Sequence, residues 1–224
     1  MPIISKGAAS SMGFGQFTSV SSNPIIRSST TAGATGSVVV NKPSGVVSGD
    51  LLVICASVAN NTTATLASTG FTSVASVQSP ISAILVKVAG GSEPSTYTVT
   101  SGISVAATVV MFAITTGTYS TGVVDIGTWS TSGTGSTITA PSLSVTNSSS
   151  LLIATYGVRA ASGGSTTNAS TPTGMTSINM VSSGLSFTEV FSQAVNSGAT
   201  GTRVTTITRS GSTDGHHGQL IAIK

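Results

Sequence analysis

The chain has 224 residues, of which only 8 are Lys or Arg and 5 are Asp or Glu. This charged fraction of 6%, against roughly 25% in ordinary soluble domains, and the mean hydropathy of +0.41 exclude disorder driven by charge. The 41 serines and 36 threonines accompany many Val and Ile residues, whereas the residues that usually cover exposed helix faces are scarce. The composition therefore predicts an all-β fold of strands joined by Gly and Ser turns.

Charge and hydropathy patterns argue against nucleic-acid binding, membrane insertion and disulfide stabilisation. The net charge is +3, but the basic residues are scattered and form no run that could follow a phosphate backbone. The longest nearly apolar run, residues 105–114, has about half the length that a membrane-spanning helix needs. Cys55 is the only cysteine, so it cannot form an internal disulfide, and its apolar neighbours predict a buried side chain.

Residues 1–22 show neither the period of a strand nor that of a helix, because Gly7, Gly13 and Gly15 interrupt every run. The segment is nonetheless too apolar for a solvated tail. Two interpretations stay open: a terminus that is disordered or folded back on its own domain, and an arm that anchors the protein in a partner. The candidate anchoring side chains are Ile3, Ile4, Met12, Phe14 and Phe17.

From Asn23 onward, apolar segments alternate with Gly, Pro, Asn and Ser clusters at a spacing of roughly 8–12 residues, as in a β-sandwich or barrel. Tyr97 and Val99 alternate with threonines, which is typical of a half-buried strand. Residues 51–56 are apolar on both faces, which predicts a central strand covered on both sides. The predicted strands of the first half are Ile25–Thr31, Ser37–Asn41, Asp50–Ala59, Phe71–Val77, Ser82–Ala89, Thr96–Ser101 and Val105–Thr115.

Five strings of the first half recur in the same order in the second half, at an offset that grows slowly along the chain. We interpret the chain as an internal duplication of a β unit, with repeats at about 36–117 and 135–224 and a buried, strand-like crossover at Gly117–Thr131. We favour one antiparallel two-sheet sandwich over residues 23–224, and two tandem domains remain the alternative. The matched strings are Gly36–Val40 with Gly135–Thr139, Leu51–Ile54 with Leu151–Ala154, Gly70–Val74 with Gly174–Ile178, Thr98–Gly102 with Thr206–Gly211, and Met111–Ile114 with Leu220–Ile223.

The acids that an enzyme would need are few and show no recognisable constellation. Asp50, Glu93 and Asp214 lie beside Gly or Pro, where an acid caps or initiates a turn. Glu189 lies inside a predicted strand and Asp125 lies in the crossover, and no spacing marks two of the acids as a glycosidase pair.

The pair His216 and His217 is the only cluster with metal-ligand character. Adjacent strand residues face opposite sides, and a closed metal site needs three or four ligands, so a turn or strand-edge pair is the better interpretation. The sequence has no Gly-x-Ser-x-Gly elbow, no phosphate-binding Gly loop and no dinucleotide fingerprint. We therefore expect no catalytic residue, no metal and no cofactor.

Aromatic side chains with a polar tip are candidates for stacking on a sugar. Tyr97 and Tyr156 lie in alternating or apolar strands and are expected in the core. The crossover holds the remaining group, Tyr119, Asp125 and Trp129, which forms the candidate glycan contact, although Trp is more often largely buried.

Four strings stand out between about Val38 and Lys224, namely Pro43–Leu52, Glu93–Thr98, Leu151–Ala160 and Gly198–Arg203. They resemble a widespread β-sandwich module of structural proteins in tailed bacteriophages and of some bacterial surface proteins. The opening Gly7–Gly15 is similar to N-terminal segments of virion proteins of aquatic phages, cyanophages among them. The resemblance implies a jelly-roll-like module without catalytic residues, displayed on a particle as a head decoration protein or as part of a tail or fibre.

Three hypotheses of function follow. The first is a non-enzymatic virion component that residues 1–22 anchor to other capsid or tail proteins and that forms a homo-oligomer, since sheet edges with few charges invite association. The second is a carbohydrate-binding module that recognises a host surface glycan. The third is a polysaccharide depolymerase or other hydrolase that uses the acids.

Overall fold

The computed structural model describes residues 24–60, 64–78, 81–115, 124–130, 134–211 and 213–224. Within these ranges every regular element is a β-strand and every strand pair is antiparallel, which confirms the all-β fold predicted from composition. Among the described residues no helix is long and apolar enough to cross a membrane. The candidate anchoring residues lie outside the described ranges, namely Ile3, Ile4, Met12, Phe14 and Phe17.

The described residues of the first half form the strands β1 (Ile25–Thr35), β2 (Val38–Asn41), β3 (Leu51–Val58), β4 (Ala67–Ser68), β5 (Thr72–Gln78), β6 (Ile81–Val88), β7 (Thr96–Thr100) and β8 (Ala106–Thr115). Large sheet 1 has the order β1-β8-β3-β6-β5, and small sheet 1 has the order β2-β7-β4. All but the two-residue β4 coincide to within a few residues with strands predicted from the sequence.

The second half forms the strands β9 (Val124–Ile126), β10 (Thr137–Ala140), β11 (Ser144–Val145), β12 (Ser150–Ala160), β13 (Ser165–Ala169), β14 (Thr176–Ser183), β15 (Ser186–Val195), β16 (Gly198–Ala199), β17 (Arg203–Ser210) and β18 (Thr213–Ile223). Large sheet 2 has the order β14-β15-β12-β18-β9, and small sheet 2 has the order β10-β17-β13. The short strands β11 and β16 pair with each other.

The two halves have the same strand order. The order β1-β8-β3-β6-β5 corresponds to β9-β18-β12-β15-β14, and β2-β7-β4 corresponds to β10-β17-β13. With β11 and β16 set aside, the first strand of each half pairs with the last, the second with the second-last, and the third with the third-last. The equivalent strands begin at Ile25 and Val124, so each structural unit starts earlier than the repeats predicted from about residues 36 and 135.

The sheets stack in four layers, because a hydrophobic core joins each small sheet to its large sheet and a further core joins the two large sheets. We call the layer between the large sheets the central interlayer. In β3, Leu52 faces small sheet 1, whereas Leu51, Val53 and Cys55 face large sheet 2 across the central interlayer. In place of one sandwich with two sheets, the chain forms two sandwiches packed through their large sheets.

The core residues predicted from the sequence are confirmed. Leu51, Val53, Cys55, Leu151 and Ile153 are all buried, and all belong to the central interlayer. The apolar run that was expected to be covered on both faces is therefore covered by its own small sheet on one side and by the other half of the chain on the other side.

One of the sequence matches is displaced by one residue. The match of Gly36–Val40 with Gly135–Thr139 aligns Val39 with Ile138, but Val39 is 58% exposed and Ile138 is fully buried. The structural counterpart of Ile138 is Val38, since each is the first buried residue of its strand. Side chains alternate between faces along a strand, so a shift of one residue exchanges inside and outside.

We predict that Leu52→Asp or Leu152→Asp abolishes soluble folding. Both side chains are fully buried, and an unpaired buried carboxylate costs several kcal/mol against a total stability of about 5–15 kcal/mol. The measurements are soluble yield and thermal unfolding. Val39→Asp is the matched control, because that side chain is exposed, and it should fold normally. A normal yield and melting temperature for either Leu variant would contradict the assignment.

Candidate functional site

Asp50 forms an ion pair that holds the start of β3. The Arg27 guanidinium donates from Nε to Asp50 Oδ2 over 2.8 Å and from Nη2 to Oδ1 over 3.1 Å. The backbone N–H of Val47 donates to the same carboxylate over 2.9 Å. The buried Asp50 thus closes the turn before β3 and ties it to edge strand β1, which agrees with the turn role predicted from the sequence.

Glu93 organises the loop between β6 and β7. Its carboxylate accepts hydrogen bonds from Lys87 Nζ over 2.6 Å, from the Gly90 N–H over 2.6 Å, and from the Tyr97 hydroxyl. Burial alone would raise the pKa of Glu93, but these donors outweigh it and lower the pKa to about 2. Burial and the neighbouring carboxylate together raise the pKa of Tyr97.

Of the candidate glycan group, Asp125 and Trp129 are described and both lie beside β18. Asp125 accepts from the N–H and the hydroxyl of Thr146 over 3.0 Å, and Lys224 Nζ lies 3.6 Å from Asp125 Oδ1. Burial would raise the pKa of Asp125, but these partners lower it. The Trp129 ring packs edge-on against His217, with 4.8 Å between ring centroids. Both side chains therefore support the fold.

The third member of that group, Tyr119, lies outside the described residues. The glycan contact through Tyr119, Asp125 and Trp129 stays a prediction for this reason. Trp129 is only partly buried, but its indole Nε1 is buried and has no hydrogen-bond partner among the described residues.

Glu189 lies inside the second sandwich, on the face of β15 that carries the core residues Phe187 and Phe191. It is 3% exposed, and one carboxyl oxygen, Oε2, has no partner among the described residues. Burial raises the pKa of Glu189 to about 7, against the opposing effect of hydrogen bonds from Ala169 N–H and the Ser177 hydroxyl. The carboxylates of Asp50, Glu93, Asp125 and Glu189 are each bound by different donors.

The histidine pair lies within β18 and not in a turn. Of the two predicted alternatives the strand-edge pair fits, because β18 pairs with β12 at the histidines while β9 pairs only with Ile221–Ile223. His217 faces the central interlayer and His216 faces the other side, because adjacent strand residues alternate. Both are buried, and burial lowers both pKa values, that of His217 to about 3. The described residues contain no group of three His, Cys, Asp or Glu side chains that could hold a metal ion.

A row of buried hydroxyls crosses the central interlayer beside His217. Ser82 donates to Ser57 over 2.7 Å, and Thr108 lies 2.8 Å from the hydroxyls of Ser186 and Thr188. We call these five residues the hydroxyl seam. The hydroxyl seam was not predicted from the sequence, although each member continues the apolar face of its strand. In β3, for example, Ser57 follows Leu51, Val53 and Cys55 on the same face.

Gly157 makes room for this arrangement. A Cβ atom on Gly157 would lie 2.4 Å from His217 Nε2 and 2.5 Å from Ser57 Oγ, distances that no real side chain tolerates. The backbone of β12 therefore approaches the imidazole and the opposite sandwich closely at this point. Neither ring nitrogen of His217 has a hydrogen-bond partner among the described residues.

Two surface pockets occupy equivalent places in the two halves. Each lies where the outer face of β7 or β17 meets the turn before β5 or β14, and their volumes are about 370 and 390 Å³. Pocket 1 is lined by Thr69, Gly70, Lys87, Thr96, Tyr97 and Thr98, among others. Pocket 2 is lined by Thr173, Gly174, Gln193, Thr202, Arg203 and Val204.

Strand register shows that these lining residues correspond one to one. Lys87 pairs with Leu52 and Gln193 pairs with Leu152, which are equivalent positions of β3 and β12. In the small sheets, Tyr97 pairs with Val40 and Arg203 pairs with Ala140. The sequence match at Gly70 and Gly174 was a signal for one edge of each pocket. The match of Thr98 with Thr206 hid the other edge, because strand register makes Val204 the counterpart of Thr98.

No family model, curated protein or solved structure matches this chain. The class that the fold defines is an all-β protein with several antiparallel sheets.

We predict that His217 makes the protein less stable in mild acid. The unfolded chain takes up a proton near pH 6.5, whereas folded His217 resists protonation until about pH 3, so stability falls as the pH drops between these values. At pH 4.5 the loss amounts to about 2–3 kcal/mol. His217→Gln should remove this part of the pH dependence, measured by urea unfolding at pH 7 and pH 4.5. Parallel pH profiles for wild type and variant would contradict the prediction.

Glu189 should have the opposite effect of pH. The unfolded carboxyl ionises near pH 4.5 but the folded one only at about 7, so stability falls as the pH rises between these values. We predict that Glu189→Gln raises the melting temperature at pH 8 and leaves it unchanged at pH 4. Glu93→Gln is the control with reversed sign, because the lowered pKa of Glu93 stabilises the fold above pH 4.5. A Glu189→Gln variant that melts lower at pH 8 would refute the assignment.

Proposed function

We propose that this chain is a non-enzymatic structural protein of a tailed-phage virion. Residues 1–22 would attach it to other virion proteins of the capsid or tail, and the double sandwich would be displayed on the particle as a head decoration or as a tail or fibre module. The observation that carries the proposal is the pair of sandwiches with the same strand order, joined through a buried interlayer into one stack. Such a body suits display and packing against neighbours.

The strand connections support a jelly-roll assignment for each half. Nested antiparallel pairs, first with last and second with second-last, are what a jelly roll requires when a long hairpin is wrapped into two sheets. The resemblance to phage structural modules implies the same type of fold.

The use of the carboxylates supports a non-enzymatic role. Asp50, Glu93 and Asp125 are each held by a cation and by backbone or hydroxyl donors, and each closes a loop or joins two strands. Glu189 is buried and accepts hydrogen bonds from Ala169 and Ser177. A hydrolase needs acids that converge on a substrate, so the present arrangement favours structure over catalysis.

The edges of the large sheets support assembly. Edge strands β5 and β14 carry no charged residue over Thr72–Gln78 and Thr176–Ser183. Proteins that stay monomeric usually protect such edges with Lys or Pro, whereas a subunit whose edges are covered by neighbours does not need this protection. We therefore propose a homo-oligomer, or a subunit fixed in a particle lattice.

Deletion of residues 1–22 tests the proposal. We expect the truncated protein to fold with an unchanged melting temperature, since every described strand lies after these residues, and to disappear from virions in a co-sedimentation assay. Full-length protein mixed with the same particles is the control. Truncated protein that still decorates particles at normal occupancy would show that the sandwich makes the attachment. Full-length protein that does not bind the particles but binds to a glycan array would favour the carbohydrate-binding alternative.

A further inference from the structure

Pockets 1 and 2 differ in charge although they are equivalent in position. In pocket 1 the ammonium group of Lys87 is neutralised by Glu93, at 2.6 Å. The constant offset between Thr96–Thr98 and Thr202–Val204 places Ala199 where the first half has Glu93, so pocket 2 has lost the acid. At the same time Arg203 replaces Tyr97. Pocket 1 is therefore neutral, and pocket 2 carries one positive charge.

The guanidinium of Arg203 is fixed by neutral acceptors. Nη1 donates to the carbonyl oxygens of Thr200 and Thr202 over 2.6 and 3.2 Å. Nε and Nη2 donate to Gln193 Oε1 over 3.3 and 2.8 Å. Within the described residues no carboxylate pairs with Arg203, whereas Arg side chains held in a pocket commonly bind an anion. The group is thus oriented and still lacks a counter-charge.

The amide nitrogen of Gln193 lies beside Gly174, which also lines pocket 2. Its carbonyl oxygen must face Arg203, because a guanidinium only donates, so the amide nitrogen points the other way. A Cβ atom on Gly174 would lie 2.9 Å from Gln193 Nε2, which shows that this nitrogen borders the pocket at the glycine turn. Gln193 and Arg203 thus both line pocket 2 with N–H groups left over, and no described carboxylate lines it.

We propose that pocket 2 is a binding site for a carboxylate group carried by a small polar ligand. One guanidinium balances one negative charge, and neighbouring N–H donors match the two oxygens of a carboxylate. The volume of about 390 Å³ lies within the range of small-molecule sites. The hydroxyls of Thr173 and Thr202 at its rim can bind the polar remainder of the ligand. This inference is independent of the proposed virion role.

Titration of the full-length protein, followed by NMR of the backbone and side-chain N–H groups, tests the proposal. The probes are sodium glucuronate, N-acetylglycine and neutral glucose, at constant ionic strength. We expect both carboxylates to shift the signals of Gly174, Gln193 Nε2 and Arg203 Nε, and glucose to leave them unchanged. A response to glucuronate alone identifies an acidic sugar as the source of the carboxylate, and a response to N-acetylglycine alone identifies a peptide-type carboxylate.

Substitutions at Ala199 give a matched pair. Ala199 is exposed, so Ala199→Glu should fold normally while supplying pocket 2 with the acid that pocket 1 already has, and binding should weaken roughly tenfold. Ala199→Gln has the same size without the charge and should bind as wild type does. Arg203→Gln should also lose binding. The proposal is overturned if neither carboxylate shifts these signals, if glucose shifts them equally, or if Ala199→Glu binds as tightly as Ala199→Gln.

Discussion

Burial of both faces of the large sheets is the constraint on which the rest of the fold depends, because a strand covered twice has no side on which to place charge. Strands β3 and β12 are buried along almost their whole length, and β8 is equally enclosed. Long apolar strands in the middle of the stack account for a mean hydropathy of +0.41 in a chain with a charged fraction of 6%. Among the described residues, charge is mostly left to loops, small sheets and the edges and ends of the large sheets, with Glu189 inside β15 as the exception.

The central interlayer also has to fix how the two sandwiches are aligned, and apolar contacts alone are poorly directional. One end of the interlayer is aliphatic, with residues such as Leu51 and Ile223, whereas the other end holds the hydroxyl seam. Hydrogen bonds such as that from Ser186 to the carbonyl oxygen of Ser57 exist only in one alignment of the sheets. The close approach at Gly157 strengthens this selection, since any side chain there would push the sandwiches apart.

The sequence predicted the strands well, because the alternation of apolar residues within a strand and the turn residues that flank it are local signals. Residues 51–56 also revealed double burial, but an apolar face does not name the surface that covers it, so four layers were not foreseen. Sequence matching also aligned Val39 with Ile138, although one is exposed and the other is buried. Such errors of one residue arise because Ser/Thr-rich strings match equally well in two registers. The pockets were missed because Lys87 and Gln193, or Tyr97 and Arg203, become comparable only once strand register is known.

Equivalent positions of the two halves use charged side chains in different ways. In the first half, Glu93 gathers Lys87, Tyr97 and a loop N–H into one closed cluster, which fixes the β6–β7 loop. In the second half, the corresponding segment is fixed by Arg203 through carbonyl oxygens and Gln193, and no carboxylate of the described residues balances its positive charge. The segments that precede β7 and β17 are thus stabilised differently, by Glu93 in the first half and by Arg203 in the second. Only the arrangement around Arg203 leaves a cation that a ligand can neutralise. The buried sheets keep the repeats alike, while the outer small sheets are where they differ in chemistry.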